Sequence, residues 1–547
     1  MLAGAAVAAL AVPAVAKSSP SKIDPVVTFV QARAAEIAGD NSKAAGLMVA
    51  LANAYPSDQT MVRRAIAVSV QAGRMDEAVR LAKTLPLNLQ SFDSRLLLVA
   101  DALKKGRNNE AVAIIEKGTT STESELFAPI VKAWVETAKG SRAGVETLAK
   151  LAPGSPVTSI ANDHRALMLL ALHDDAAALP VAEAAIKADS NIDLRMRLAL
   201  ATGFQRDHRD DLATKMLVGD SAVLQAARQR LADRHAIDMA IDEPSKGFAA
   251  TLVPLASELL RDPDKAIAIS LVQIARYADP GNVPAQILLG LLLDGDKRTD
   301  EAVAVLGAVP GDSLLSPSAE QAEVAILAGA ERYDEALRIA EPAAQRSDAD
   351  GDTIQRYGDV LADMDRNADA AAAYGRAIEA TKAEGDTNSL LSLYLLRAAS
   401  LEEIDRWPEA KADLQNGLAL QPENPILLNF LGYGSLERGE NIPMAEAMIR
   451  KASALRPDDA SITDSLGWAL FKTGRIEESI KTLTSAATAD PAEAEIHEHL
   501  GDALYTAGRR IEARFSWNAA LVTAKDKDKG RIQAKLDFGL NNANAAP

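Results

Sequence analysis

The chain contains no cysteine and only six histidines in 547 residues. The absence of cysteine excludes disulfides, thiolate metal sites, a thiol nucleophile and a cysteine-linked lipid anchor, and it leaves the redox compartment open. Aromatic side chains are scarce as well, at 4% of the chain against 48% hydrophobic residues, so a core has to be built of Ala and Leu. Such side chains favour closely packed helices over a β-sandwich. Positive charge is in deficit: 59 Lys+Arg against 76 Asp+Glu leave a net charge of -17. That is the wrong sign for steering toward nucleic-acid phosphates or anionic lipid, so nucleic acid is not expected as a main partner. Long apolar runs are missing beyond the amino terminus, where nothing reaches the roughly 18 residues a membrane helix needs. No integral membrane segment is expected.

The first sixteen residues, MLAGAAVAALAVPAVA, are uncharged and end in Ala14-Val15-Ala16 before Lys17. Their length and small-residue exit fit a secretory signal, although a basic leading segment is missing and would require a start upstream of Met1. The expectation is a signal over 1–16, cleavage near Lys17 and a polar linker over 17–24. The alternative is an apolar start on a cytoplasmic protein.

What the sequence has in quantity is repetition. A small residue recurs at Ala302, Ala336, Ala370, Ala410, Ala445, Ser479 and Ala513, in steps of 34, 34, 40, 35, 34 and 34. Another small residue stands twelve positions ahead of most of these, at Gly290, Gly358, Ala398, Gly467 and Gly501, with Gly432 thirteen ahead. Two antiparallel helices cross closely only where neither carries a bulky side chain, and Pro280, Pro422, Pro457 and Pro491 punctuate the ends. The period continues toward the amino terminus at Ala44, Ala78 and Ala111, with degenerate units near 126, 159 and 192.

This pattern resembles the tetratricopeptide repeat. Residues 460–493 supply Leu466, Gly467, Leu470, Leu483, Ala486 and Pro491, and the next unit supplies Leu500, Gly501, Leu504, Ala513, Trp517 and Ala520. The resemblance implies an all-α superhelical solenoid, and the period gives about fourteen helix pairs. Residues 235–248 break the phase, which divides the solenoid into 25–234 and 249–525, and residues 381–389 are expected to lengthen one turn between helices. Residues 526–538 read as a capping helix and 539–547 as a disordered tail. Charge is unevenly divided: residues 17–246 carry a net +1 and residues 247–547 a net -18.

A closer resemblance covers residues 427–521. The run Asp464-Ser465-Leu466-Gly467-Trp468 and the extra residue near Ile442-Pro443 look like the last repeats of large exported proteobacterial tetratricopeptide proteins. Those include outer-membrane lipoproteins that act as adaptors for periplasmic processing proteases. This chain departs from the lipoproteins in having no cysteine to acylate. The resemblance implies a periplasmic location and protein or peptide partners, such as a protease or an envelope-assembly component, with no cofactor.

In the family, the groove is lined by first-helix residues outside the packing signature. Here these are Asn429, Tyr433, Glu437, Asp464, Trp468, Phe471, Lys472, Glu498, Asp502 and Tyr505, an aromatic and acidic stripe. Flat rings can grip an extended peptide, Asn can bond its backbone, and exposed Asp464 and Asp502 would steer a basic partner. The competing reading is that Trp468 and Tyr433 fill space between helices. The carboxylate-clamp set of chaperone-tail-binding relatives is matched only by Asn429 and Lys472.

Motifs for catalysis are weak. His497 and His499 diverge on a helix and cannot chelate one metal as an i, i+4 pair could. His208-Arg209-Asp210 lacks the other parts of a kinase, Ser19-Pro20-Ser21-Lys22 falls in the linker, and Gly432-Tyr433-Gly434 follows no strand. The reading is an adaptor or scaffold without covalent chemistry. A scaffold for envelope assembly or polysaccharide export, and an enzyme with a cryptic site, are the alternatives; oligomeric state is left open.

Overall fold

The computed structural model describes residues 24–117, 121–151, 158–188, 194–219 and 221–546. The expected signal 1–16 and all but the last residue of the expected linker 17–24 lie outside them, as does Pro547. Among the described residues the fold is all-α, with thirty α-helices and two short 3-10 turns. By chain order the helices fall into fourteen consecutive pairs, apart from Ala222–Ala232 and Asp526–Phe538. No described helix is long and apolar enough to cross a membrane.

Two local rules build the pairs. Many first helices open on an Asp or Asn whose side chain accepts from the free backbone N–H groups, as at Asp58, Asn282, Asp350, Asn424 and Asp459. Each such cap contributes about 1 kcal/mol. Most second helices open differently, on an Arg that follows a residue in the left-handed region, for example Gly73-Arg74, Lys297-Arg298, Asp365-Arg366 and Gly474-Arg475. The Arg then pairs with an acidic side chain three residues on, as in Arg74–Glu77 at 2.7 Å, Arg298–Glu301 at 2.9 Å and Arg366–Asp369 at 2.7 Å.

The small positions lie where the helices cross. Ala302, Ala336, Ala370, Ala410, Ala445, Ser479 and Ala513 are all fully buried. A Cβ added at Gly467 would fall 2.5 Å from Leu483 Cγ, and one at Gly501 would fall 2.3 Å from Trp517 Cδ1. Ser479 replaces the usual Ala because its hydroxyl donates across the crossing to the Gly467 carbonyl at 2.7 Å. Gly467→Leu is therefore expected to cost about 1 to 3 kcal/mol by overpacking. Gly530→Ala, at a helical glycine with nothing within 4 Å of a new Cβ, should not destabilise. Urea titrations of both variants check this, and equal midpoints would refute the crossing.

The chain forms two compact units, Met1–Ile326 and Leu327–Pro547, so the division does not fall at residues 235–248. Residues 235–243 do interrupt the helices. The next pair, Pro244–Glu258 and Ala266–Ala278, then packs back onto the first helices Gln59–Gln71, Phe92–Lys104 and Ser121–Thr137. The interruption lets the chain turn inward, which joins its two sides into one unit.

Two polar clasps hold that return. Asp101, fully buried, receives Lys83 at 2.7 Å, Lys105 at 2.5 Å, Arg107 at 2.6 Å and the Tyr277 hydroxyl at 2.9 Å. Burial works against its charge, but these donors prevail and hold its carboxyl at about 2. The Trp134 indole donates to His164 Nδ1 at 2.9 Å, and His164 Nε2 lies 3.3 Å from the Thr251 hydroxyl. Burial, with a smaller push from Arg195, lowers His164 to about 3 and keeps it neutral.

In the second unit the extra residues near 381–389 do not lengthen a turn. They extend the helix Asn367–Glu384 to 18 residues, closed by Gly385 in the left-handed region. Ala-rich sequence with Lys and Glu sustains the helix more readily than it would an open loop.

Candidate partner-binding face

The first helices of the last three pairs are Pro425–Glu437, Ala460–Lys472 and Ala494–Thr506. The first of these touches the second and the second touches the third, whereas the second helices do not approach one another in this way, so the first helices line the inner face of the unit. A spacing of four residues keeps side chains on that face. Asn429, Tyr433 and Glu437 are so placed on the first of these helices, and Asp464, Trp468 and Lys472 on the second. On the third, Glu495 and His499 are four apart, as are Glu498 and Asp502.

The structure brings this stripe together, but largely as a packed network. Trp468 is 1% exposed. It stacks on His499 at a centroid distance of 4.1 Å and on Phe471 at 4.8 Å, and its indole donates to Glu437 Oε1 at 2.7 Å. The Lys472 ammonium stands 4.9 Å over the Trp468 ring. Asp464 is buried and receives His499 Nδ1 at 2.9 Å, so it is not an exposed steering charge. Glu498 and Asp502 are likewise buried. Arg531 binds both oxygens of Glu498, at 2.9 and 2.8 Å, and the fully buried Lys535 reaches Glu498 at 2.6 Å and Asp502 at 2.7 Å. The helix Asp526–Phe538 thus neutralises the acidic end of the stripe from within the chain.

The less buried members are Asn429, Tyr433, Glu437, Phe471, Lys472 and Tyr505. Asn429 donates to the Ser465 hydroxyl at 3.1 Å, and the Tyr433 hydroxyl donates to Glu495 at 3.0 Å. Burial, reinforced by the carboxylates of Glu495, Glu437 and Asp464, pushes the Tyr433 phenol up. Asn429 Oδ1 and His499 Nε2 are buried with no hydrogen-bond partner among the described residues.

Residues 539–546, expected to be disordered, instead fold onto this face. Asn544 and Ala546 are buried, and the Ala546 N–H donates to Asp502 Oδ2 at 3.0 Å. Asp502 also receives the Trp517 indole at 2.8 Å. This concentration of donors around one carboxylate is what orders the segment.

His499, weighed from the sequence only as a metal ligand, and Arg531 and Lys535, which the sequence did not single out, all belong to this network. The repeat period carried a signal for the first: His499 follows Asp464 by 35 residues and so takes the neighbouring place on the next repeat. His497, by contrast, is only half-buried, with Nε2 3.1 Å from the Pro491 carbonyl. No group of three or more His, Asp or Glu among the described residues is placed to hold a metal ion.

Burial lowers the pKa of His499, but Asp464, helped by Glu495 and Asp502, outweighs it and raises the pKa above the usual value. A raised folded pKa contributes stability that is complete below the unfolded value of about 6.5 and is lost as pH rises through the folded pKa. The stability gap between the protein and His499→Gln should therefore narrow as pH rises from about 6.5 upward. Melting both across pH 5 to 9 checks the sign, and a gap that widens with pH would contradict it.

These features define a helical-repeat protein whose last pairs present a continuous inner face. A sequence profile of the tetratricopeptide repeat matches residues 435–494 and 465–529, within the last three pairs and the start of the terminal helix. Among curated proteins none matches the sequence. Three solved structures illustrate the loose similarity of the whole. A chain of the APC/C hetero-tetramer Cut9-Hcn1 is 14% identical, over 95% of this chain and 97% of that one, at a TM-score of 0.38. A tetratricopeptide repeat protein from Parabacteroides merdae is 13% identical, over 47% of this chain and 98% of that one, also at 0.38. YrrB, a TPR protein with an unusual peptide-binding site, is 19% identical over 36% of this chain and 98% of that one, at 0.27. Superpositions this loose give no basis for transferring a partner.

Proposed function

We propose that the chain is an exported scaffold that holds protein partners on the inner face of its last repeats and performs no covalent chemistry. The observation that carries this reading is the register of Asn429, Tyr433, Asp464, Trp468, Glu498 and Asp502 across three consecutive first helices. Cross-helix bonds hold that register, leaving a rigid surface with unspent hydrogen-bonding capacity at Asn429 and His499. Pre-ordering of this kind lowers the cost of binding an extended segment. The finer assignment is an adaptor for periplasmic proteolysis, supported by the resemblance of residues 427–521 to exported adaptors and by the signal-like residues 1–16.

Co-purification from native cell envelopes, followed by mass spectrometry, tests both levels. Recovery of a protease with its substrates supports the adaptor, whereas recovery of assembly or polysaccharide-export components replaces it with an envelope scaffold. Loss of the recovered partner in Asn429→Ala, with helicity and melting unchanged, would place that partner on the inner face. Amino-terminal sequencing should begin near Lys17, and a retained Met1 on a cytoplasmic protein would overturn export.

A further inference from the structure

The segment that follows the helix Asp526–Phe538 has the character of a bound ligand. Gly539, at φ 80°, turns the chain against Tyr505. Beyond it, the segment is bent by its own side chains: the Asn541 N–H donates to Asn544 Oδ1 at 2.7 Å, and the Asn544 amide donates to the Gly539 carbonyl at 2.9 Å. The Ala546 N–H then enters Asp502 at 3.0 Å, and the Ala546 methyl, 4% exposed, joins the apolar cluster that contains Trp468. A backbone donor thus meets a buried carboxylate, and a small side chain fills a small slot. Asn429 Oδ1 and His499 Nε2 remain on the same face without hydrogen-bond partners among the described residues, with Glu495 4.0 Å from His499 Nε2.

We propose that the surface over Trp468 and Asp502 is a recognition site for a short, turned peptide with an Ala-sized side chain, and that residues 540–546 fill it in cis. This deepens the scaffold reading and rests on it. The slot excludes larger side chains because Ala546 is already enclosed there, and the contact that fixes the backbone is Asp502, a group any peptide N–H can satisfy. A tether this short presents the segment at an effective concentration on the order of millimolar, so a free peptide competes at a disadvantage until the segment lifts. The segment thereby acts as a latch.

The test uses a fluorescein-labelled synthetic peptide of residues 540–547 and three proteins: the full chain, a chain ending at Gly539, and the full chain carrying Ala546→Arg. The shortened chain and Ala546→Arg should bind the peptide at least about tenfold more tightly than the full chain, by fluorescence anisotropy. The same peptide carrying Ala546→Arg should not bind. If the shortened chain loses helicity, Ala546→Arg, which retains every helix, decides the matter. No binding to either altered protein would overturn the site, and equal binding to all three would overturn the latch. Either result, alongside partners still recovered with the full chain, would leave the scaffold reading standing, so the two failures are distinguishable.

Discussion

Lys535→Met is expected to cost about 3 to 5 kcal/mol, with the loss concentrated in the last two helix pairs. The reason is the burial of the charges and not their number. Lys535 is fully enclosed between Glu498 and Asp502, themselves almost entirely buried. Glu498 would retain Arg531, but Asp502 would keep only the Trp517 indole and the Ala546 N–H. A buried carboxylate stripped of its cation is far more costly than a surface pair, which contributes at most about 1 kcal/mol. Hydrogen exchange should show the amides of Ala494–Thr506 and Arg510–Thr523 opening first, while the first unit is unaffected. Pairing the change with Asp502→Asn should recover part of the loss, because the uncompensated charge is then removed as well. A loss under about 1 kcal/mol would mean that Lys535 is solvated and that the terminal helix docks differently.

Trp468→Ala should be comparably severe, at about 3 to 5 kcal/mol. The indole is 1% exposed, stacks on both His499 and Phe471, and spends its N–H on Glu437. Truncation opens a cavity where the first helices of three pairs meet and leaves Glu437 without that donor. Melting and partner binding measured on the same variant separate packing from direct contact. The expected outcome is a lower melting temperature, with binding lost as the face loosens. An unchanged melting temperature would return Trp468 to the exposed surface.

Much of the fold was legible because it rests on sterics with a fixed period. Ala302, Ala336, Ala370 and Ala410 mark helix crossings whatever surrounds them, and Gly467 and Gly501 could be placed from spacing alone. The site was legible only in outline. Periodicity puts Asp464 and Trp468 on the inner face, but it does not say whether something else covers them. The cover comes from Lys535, Arg531 and Ala546, on a helix and a segment that belong to no repeat and therefore have no period to reveal them. Asn and Ala in residues 541–546 carry none of the apolar pattern of an ordered element. Their order comes from one buried carboxylate far away in sequence. The inward turn after residue 243 was equally hidden, because a broken phase looks the same whether the chain leaves a domain or folds back into it.

That inward turn has a kinetic consequence. In an ordinary solenoid each pair touches only its neighbours, so folding can start anywhere and spread. Here Tyr277 bonds Asp101 across a sequence separation of 176, and Arg298 donates to the Gln71 carbonyl across 227. Such closures carry a loop entropy that must be met before the contacts form, which slows folding and makes it cooperative. The first unit should therefore assemble late and as a whole, once the chain beyond residue 298 is available. The repeats from residue 425 onward, whose partners lie mostly one pair away, can form by themselves as they emerge.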